Sequence, residues 1–66
     1  MDSKEIGKRL VELRGSKTLD SVAKACGISV SALSMYEQGN RIPRDEIKVK
    51  LAAFYDTSVQ KIFFAK

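Results

Sequence analysis

The chain has 66 residues, 44% hydrophobic and 30% charged, with twelve Lys and Arg against eight Asp and Glu for a formal charge of +4. That length allows one domain at most, residues 1–66, near the lower limit for folding on a single unstapled core. Cys26 is the lone cysteine and His is absent, which excludes an internal disulfide and removes both the usual metal ligands and the usual general base at neutral pH.

Read in chain order, the first element carries Ile6, Leu10 and Leu13 on one helical face, with Ser3 as the expected N-cap and a stop near Gly15-Ser16. Thr18 is the next N-cap signal, followed by Leu19, Val22, Ala23 and Cys26 at helical spacing and then by Gly27, suited to a left-handed helix end. Ser29 caps a third helix whose buried side is Leu33 and Tyr36 and which stops at Gly39. Pro43 is placed in the first turn of a fourth helix with the stripe Ile47, Leu51 and Phe54. Ser58 caps a short fifth helix carrying Val59, Ile62 and Phe63. No stretch alternates with the period of a half-buried strand, so the expected fold is all-α: five short helices around one core.

Enzymatic function is not expected. No Gly-rich phosphate loop or paired-carboxylate signature stands out, and Asp45 and Glu46 are explained by the preference of acids for the positive end of a helix dipole. No cofactor or metal is called for. There is no apolar run for a membrane span and no basic start followed by an apolar block, so a cytoplasmic setting is expected. The positive charge leans towards a polyanionic partner.

The second and third helices fit a specific geometry. Two helices crossing steeply through a short turn need a small residue where their axes approach, a glycine tolerant of positive φ, and apolar anchors behind the second helix. Counting Leu19 as the first position, Ala23 is fifth, Gly27 ninth, Leu33 fifteenth and Tyr36 eighteenth. That is helix-turn-helix spacing, over about residues 18–38.

The stretches "IGKRLVELR" (6–14), "VAKACGISVSALSMYEQGNRIPR" (22–44) and "SVQKIFF" (58–64) resemble the Cro-like and lambda-repressor-like helix-turn-helix proteins, also called the Xre family. The resemblance spans essentially the whole chain. It implies a compact five-helix lambda-repressor-like domain that regulates transcription, with repression the leading expectation, in a bacterial, phage or mobile-element setting. The third helix would enter the major groove of a palindromic operator bound by a homodimer. By motif position Ser29, Val30, Ser31, Ser34 and Met35 would face base edges, and Thr18, Asn40, Arg41 and Arg44 would lie along phosphates. The family's ion pair between the first and third helices falls on Arg14 and Glu37, which would keep that carboxylate away from DNA.

Two features depart from the family pattern. The connection from Arg14 to Thr18 is short, with Lys17 where an apolar residue is common, and Leu19 replaces a glutamine that many members present to DNA. The third helix also carries no Gln, Arg, Asn or Lys before Gln38, so bidentate pairing with adenine or guanine is not available to it. Blander readings stay open. Val30 could tuck into the core, Met35 could fill a gap or meet a protein, and the serines could be merely small and soluble. Arg41, Arg44, Lys48 and Lys50 could be a solvated face. Cys26 is read as a small core residue rather than a redox sensor.

The end of the chain, "IFFAK", carries more aromatic surface than so small a core needs. With Val49 and Tyr55 off the main stripe of the fourth helix, the expectation is a homodimer through the fourth and fifth helices, centred near Phe64. The alternative to DNA binding is a protein-interaction module on the same scaffold, an antirepressor, modulator or antitoxin acting on a regulatory protein partner.

Overall fold

Each of the first three helices begins where a side-chain oxygen meets its orphan amides. In the computed structural model, which describes residues 2–65, these are α1 (Ser3–Arg14), α2 (Leu19–Cys26) and α3 (Val30–Glu37). They are followed by α4 (Asp45–Phe54) and by α5, a π-helical turn (Gln60–Phe64). Thr18 accepts from the Ser21 amide at 3.1 Å and Ser29 from the Ala32 amide at 3.0 Å. At α1 the cap is Asp2 rather than the expected Ser3. Its Oδ1 accepts from the Lys4 and Glu5 amides at 3.0 and 3.4 Å. A carboxylate is the stronger acceptor and also complements the positive end of the helix dipole, so the helix starts at Ser3 itself.

Helix ends follow one device three times. The Gly27 amide donates to Lys24 and the Ile28 amide to Ala23, a Schellman ending with Gly27 in the left-handed region at φ 68°. Gly39 and Asn40 repeat the bonds on Tyr36 and Met35, and Asp56 and Thr57 repeat them on Ala53 and Ala52. Asp56 adopts φ 54°, a conformation that Asp tolerates better than most residues.

The core is built from α1 (Ile6, Leu10), α2 (Val22, Ala23, Cys26), α3 (Leu33, Tyr36), α4 (Leu51, Ala52) and α5 (Ile62, Phe63). α3 packs between α1 and α2, α4 lies on α2, and α5 lies on α1. No strand occurs among the described residues.

Three expectations about the second half need correction. Pro43 does not enter α4. It is buried ahead of the helix, which begins two residues later at Asp45, where two acids sit in the first turn. The stripe of α4 holds at Ile47, packed against the core, and at the buried Leu51, but it continues through Ala52 and Tyr55, so Phe54 is turned out to solvent instead of into the core. Lys48, for which a solvated face is the blander of the open readings, is buried. Its Nζ lies 3.4 Å from Asp45 Oδ1 and 5.8 and 5.4 Å from the ring centroids of Phe63 and Phe64.

The last element begins as expected, with Ser58 Oγ accepting from the Lys61 amide at 3.1 Å, but it widens into a π turn. Successive side chains lie closer in direction there than in an α-helix, and both Ile62 and Phe63 reach the core. The carbonyls of this end are taken by Arg9, whose guanidinium donates to Ile62 O at 2.8 Å and Ala65 O at 2.9 Å.

Gly7 is buried where α1 crosses the end of α3, and a Cβ there would overlap the Glu37 carbonyl and press on that of Tyr36. Overpacking costs about 1–3 kcal/mol, whereas Ala in place of a helical Gly gains about 1 kcal/mol of propensity. Because the overlap is with backbone, the cost falls in the upper part of that range, and Gly7→Ala is expected to lower stability in urea by about 1–2 kcal/mol. A stabilised variant would mean that α1 stands farther from α3 than described.

Candidate functional site

The Schellman turn at Gly27 and the cap at Ser29 set α3 across α2, and the period of α3 then divides its surface. Leu33 and Tyr36 are buried, while Val30 and Met35 are 41% and 39% exposed and Ser31 is exposed beside them. Val30 is thus outside the core. Ser34 is half-buried at the edge of this face. Thr18 and Ser29 are exposed, each with one hydroxyl lone pair committed to a helix amide, so that the O–H remains for an outside acceptor. The exposed surface of α3 is made of methyl groups, a thioether and hydroxyls.

Beyond α3, Asn40, Arg41 and Arg44 are all exposed on the segment leading to α4. The chain enters this segment through Gly39, at φ 75°, seated so tightly against α1 that a Cβ would meet Lys4 Cδ at 2.7 Å. Lys4 Nζ donates to Gln38 O at 3.2 Å, which places a cation on the negative end of α3. Gln38, which sequence reasoning gave no part in the site, bonds to both Ser34 and Asn40. The Ser34–Gln38 spacing of four residues was the available signal for the first of these.

Arg14 and Glu37 form a two-pronged pair, Nε to Oε2 at 2.8 Å and Nη2 to Oε1 at 3.1 Å. Arg14 Nη1 also donates to Lys17 O at 2.7 Å, so one guanidinium joins α1, the turn before α2 and α3. The bond to Glu37 raises the guanidinium pKa above its ordinary value, against an opposing effect of burial. The Glu37 side chain is only 6% exposed, which takes its charge off the outward face of α3. Cys26 is buried, and burial pushes its thiol pKa up, away from the reactive thiolate.

Tyr55, expected at a surface for association, is turned inward beside this pair. Its hydroxyl is buried with no hydrogen-bond partner among the described residues, and its pKa is pushed up to about 12, first by burial and then by the charge of Glu37. The aromatic ring that reaches solvent here is Phe54, edge-on to Tyr55 with 5.1 Å between centroids. Val49 and Phe64 are exposed, Phe64 by 49%. Among the described residues, no group of three His, Cys, Asp or Glu side chains is arranged to hold a metal ion, and no helix is long and apolar enough to cross a membrane.

Residues 8–62, from the first turns of α1 into α5, match the family model described as "Helix-turn-helix". No curated protein matches the chain.

The buried Tyr55 hydroxyl supplies a test of the packing behind the site. The unfolded chain loses this proton near pH 10 and the folded chain only near pH 12, so stability falls as pH rises through that window. Tyr55→Phe is expected to remove this part of the alkaline loss and, because no partner is stranded, to leave the urea midpoint at neutral pH unchanged or raised. A clear loss at neutral pH would mean that the hydroxyl is hydrogen-bonded.

Proposed function

This chain belongs to the helix-turn-helix family, in its Cro/Xre-like form, and is a DNA-binding transcription regulator; from that premise we propose that it is a repressor, acting in the cytoplasm as a homodimer on a palindromic operator. α3 enters the major groove, with Ser29, Val30, Ser31, Ser34 and Met35 towards base edges. Thr18, Asn40, Arg41 and Arg44 hold the backbone on either side. The observation that carries this reading is the division of α3 into a sealed anchor side, Leu33 and Tyr36, and an outward side of small and apolar groups followed by two exposed arginines.

The chemistry of that outward side defines how it reads. Val30 and Met35 offer apolar contact to thymine methyls, and the hydroxyls discriminate weakly among acceptors. Affinity then comes from phosphates, and much of the selectivity from methyl contacts and DNA shape. The apolar exposure of Val30 and Met35 also favours the second reading, a module that docks on a regulatory protein partner. For association, Val49 and Phe64 are the residues proposed at the two-fold interface. Tyr55 leaves that set because its hydroxyl is sealed inside, and Phe54 takes its place.

Selection from a random duplex pool, followed by titration in salt, separates the two readings. DNA binding predicts recovered A·T-rich sites and a log-log salt slope of roughly −0.9 per neutralised phosphate, reduced by about one for each arginine removed in Arg41→Ala and Arg44→Ala. Retention that ignores salt, or that survives loss of both arginines, removes DNA from the account and leaves the protein partner. Sedimentation of Phe64→Ser is expected to show monomer at concentrations where the parent is dimeric; an unchanged state would clear this face of any role in association.

A further inference from the structure

Gln38 is exposed at the C-terminal end of α3, and its carboxamide is engaged at both ends. Its Nε2 donates to Ser34 Oγ at 2.9 Å and its Oε1 accepts from Asn40 Nδ2 at 3.1 Å. Ser34 stands one turn back on the helix, at the edge of the outward face, whereas Asn40 stands in the segment beyond it. One side chain therefore joins a residue of the base-facing set to a residue of the phosphate-facing set.

The consequence is a loss of freedom at both ends. An unattached serine hydroxyl rotates to suit almost any partner. With one lone pair held by Gln38, the Ser34 hydrogen is directed away from Gln38 and stays available to another acceptor. An unattached asparagine in a connecting segment samples several rotamers, and fixing it in advance lowers the ordering cost of binding. Here the Asn40 backbone is also fixed, by its amide bond to Met35 O at 3.0 Å and by Gly39 seated against Lys4. Asn40 thus has both its main chain and one amide hydrogen committed, leaving its Oδ1 and second amide hydrogen for a ligand.

The geometry points to Gln38 as a positioning residue that couples Ser34 to Asn40, so that the base-edge contact and the backbone contact form as one unit. This rests on the proposed insertion of α3 into DNA. It also accounts for a selective response from a helix with few polar letters: a duplex that misplaces the phosphate at Asn40 weakens the bond at Ser34 as well.

The test is a double-mutant cycle of Ser34→Ala and Asn40→Ala, measured on duplexes recovered from the random pool, in the parent and in Gln38→Met. Met keeps the length of the side chain and its compatibility with a helix end while removing both hydrogen bonds. In the parent, the double variant is expected to lose about three- to fivefold less affinity than the product of the two single losses. In Gln38→Met the losses are expected to multiply, with the melting temperature unchanged. Losses that multiply in both backgrounds, or coupling that survives in Gln38→Met, overturn the role of Gln38 while DNA binding stands. A parent that retains no duplex at low salt overturns the insertion of α3, and the role of Gln38 with it.

Discussion

Where Gly7 passes beneath the carbonyls of Tyr36 and Glu37, two helix backbones approach as near as side chains allow, and the placement of α3 depends on that contact. Neighbouring bonds act at the same crossing. Lys4 reaches the carbonyl of Gln38 on one side, and on the other Arg14 grips the carboxylate of Glu37 with two prongs. All of these converge on the last turn of α3 and add to the hold of the buried Leu33 and Tyr36 on its inner side. The N-terminal turn is set separately, by the Ser29 cap and the Schellman turn at Gly27. A helix of eight residues that includes two serines and a valine has little intrinsic stability in water. Tertiary fixation of both ends supplies what its own composition lacks.

That fixation relieves the outward residues of structural work. With Leu33 and Tyr36 as anchors and the ends held by α1 and the turn, Val30, Ser31 and Met35 are left exposed on the outward side. In the proposed insertion of α3 into the major groove, small groups at these positions would let the helix approach the groove floor closely, with shape and methyl contact in place of polar readout. The arrangement around Glu37 serves the same end. A carboxylate in the last turn of a groove-facing helix would repel phosphates, and its burial against Arg14 turns it into a tie between helices. The net contribution of such a pair to stability is small even where breaking it is expensive, because its attraction is offset by the desolvation of both charges.

Much of this was legible from residue types at fixed spacings. Thr18, Gly27 and Ser29 carry local signals whose physics is contained within a turn, and each acts as its type predicts. Val22, Ala23, Cys26, Leu33 and Tyr36 follow a helical period strong enough to place them inward. What was not legible depends on partners far away in sequence. Beyond Ile47 and Leu51, which face the core as their spacing predicts, the end of α4 is decided by the elements it meets, and Tyr55 takes the inward place expected of Phe54. Lys48 is buried because Phe63 and Phe64 come to lie over it, which nothing in its own helix announces. Asp2 and Ser3 are both good caps by type, and the choice between them turned on charge. Gly7 did carry a signal, an isolated glycine within a helical pattern, which marks either a weak helix or a close approach.

The clasp of Arg9 on the carbonyls of Ile62 and Ala65 bears on the order in which the protein comes into being. These bonds join residues 53 and 56 positions apart, and the aromatic and aliphatic groups of α5 complete the core against α1. During synthesis α1, α2 and α3 emerge first, with the place for Ile62 and Phe63 still open and the part of α1 that they cover in water. Closure waits for α5 to be made, so a nascent chain halted before it holds α3 on an unfinished core. Folding of this domain thus waits on α5, because the core beneath α3 is complete only once Ile62 and Phe63 are in place.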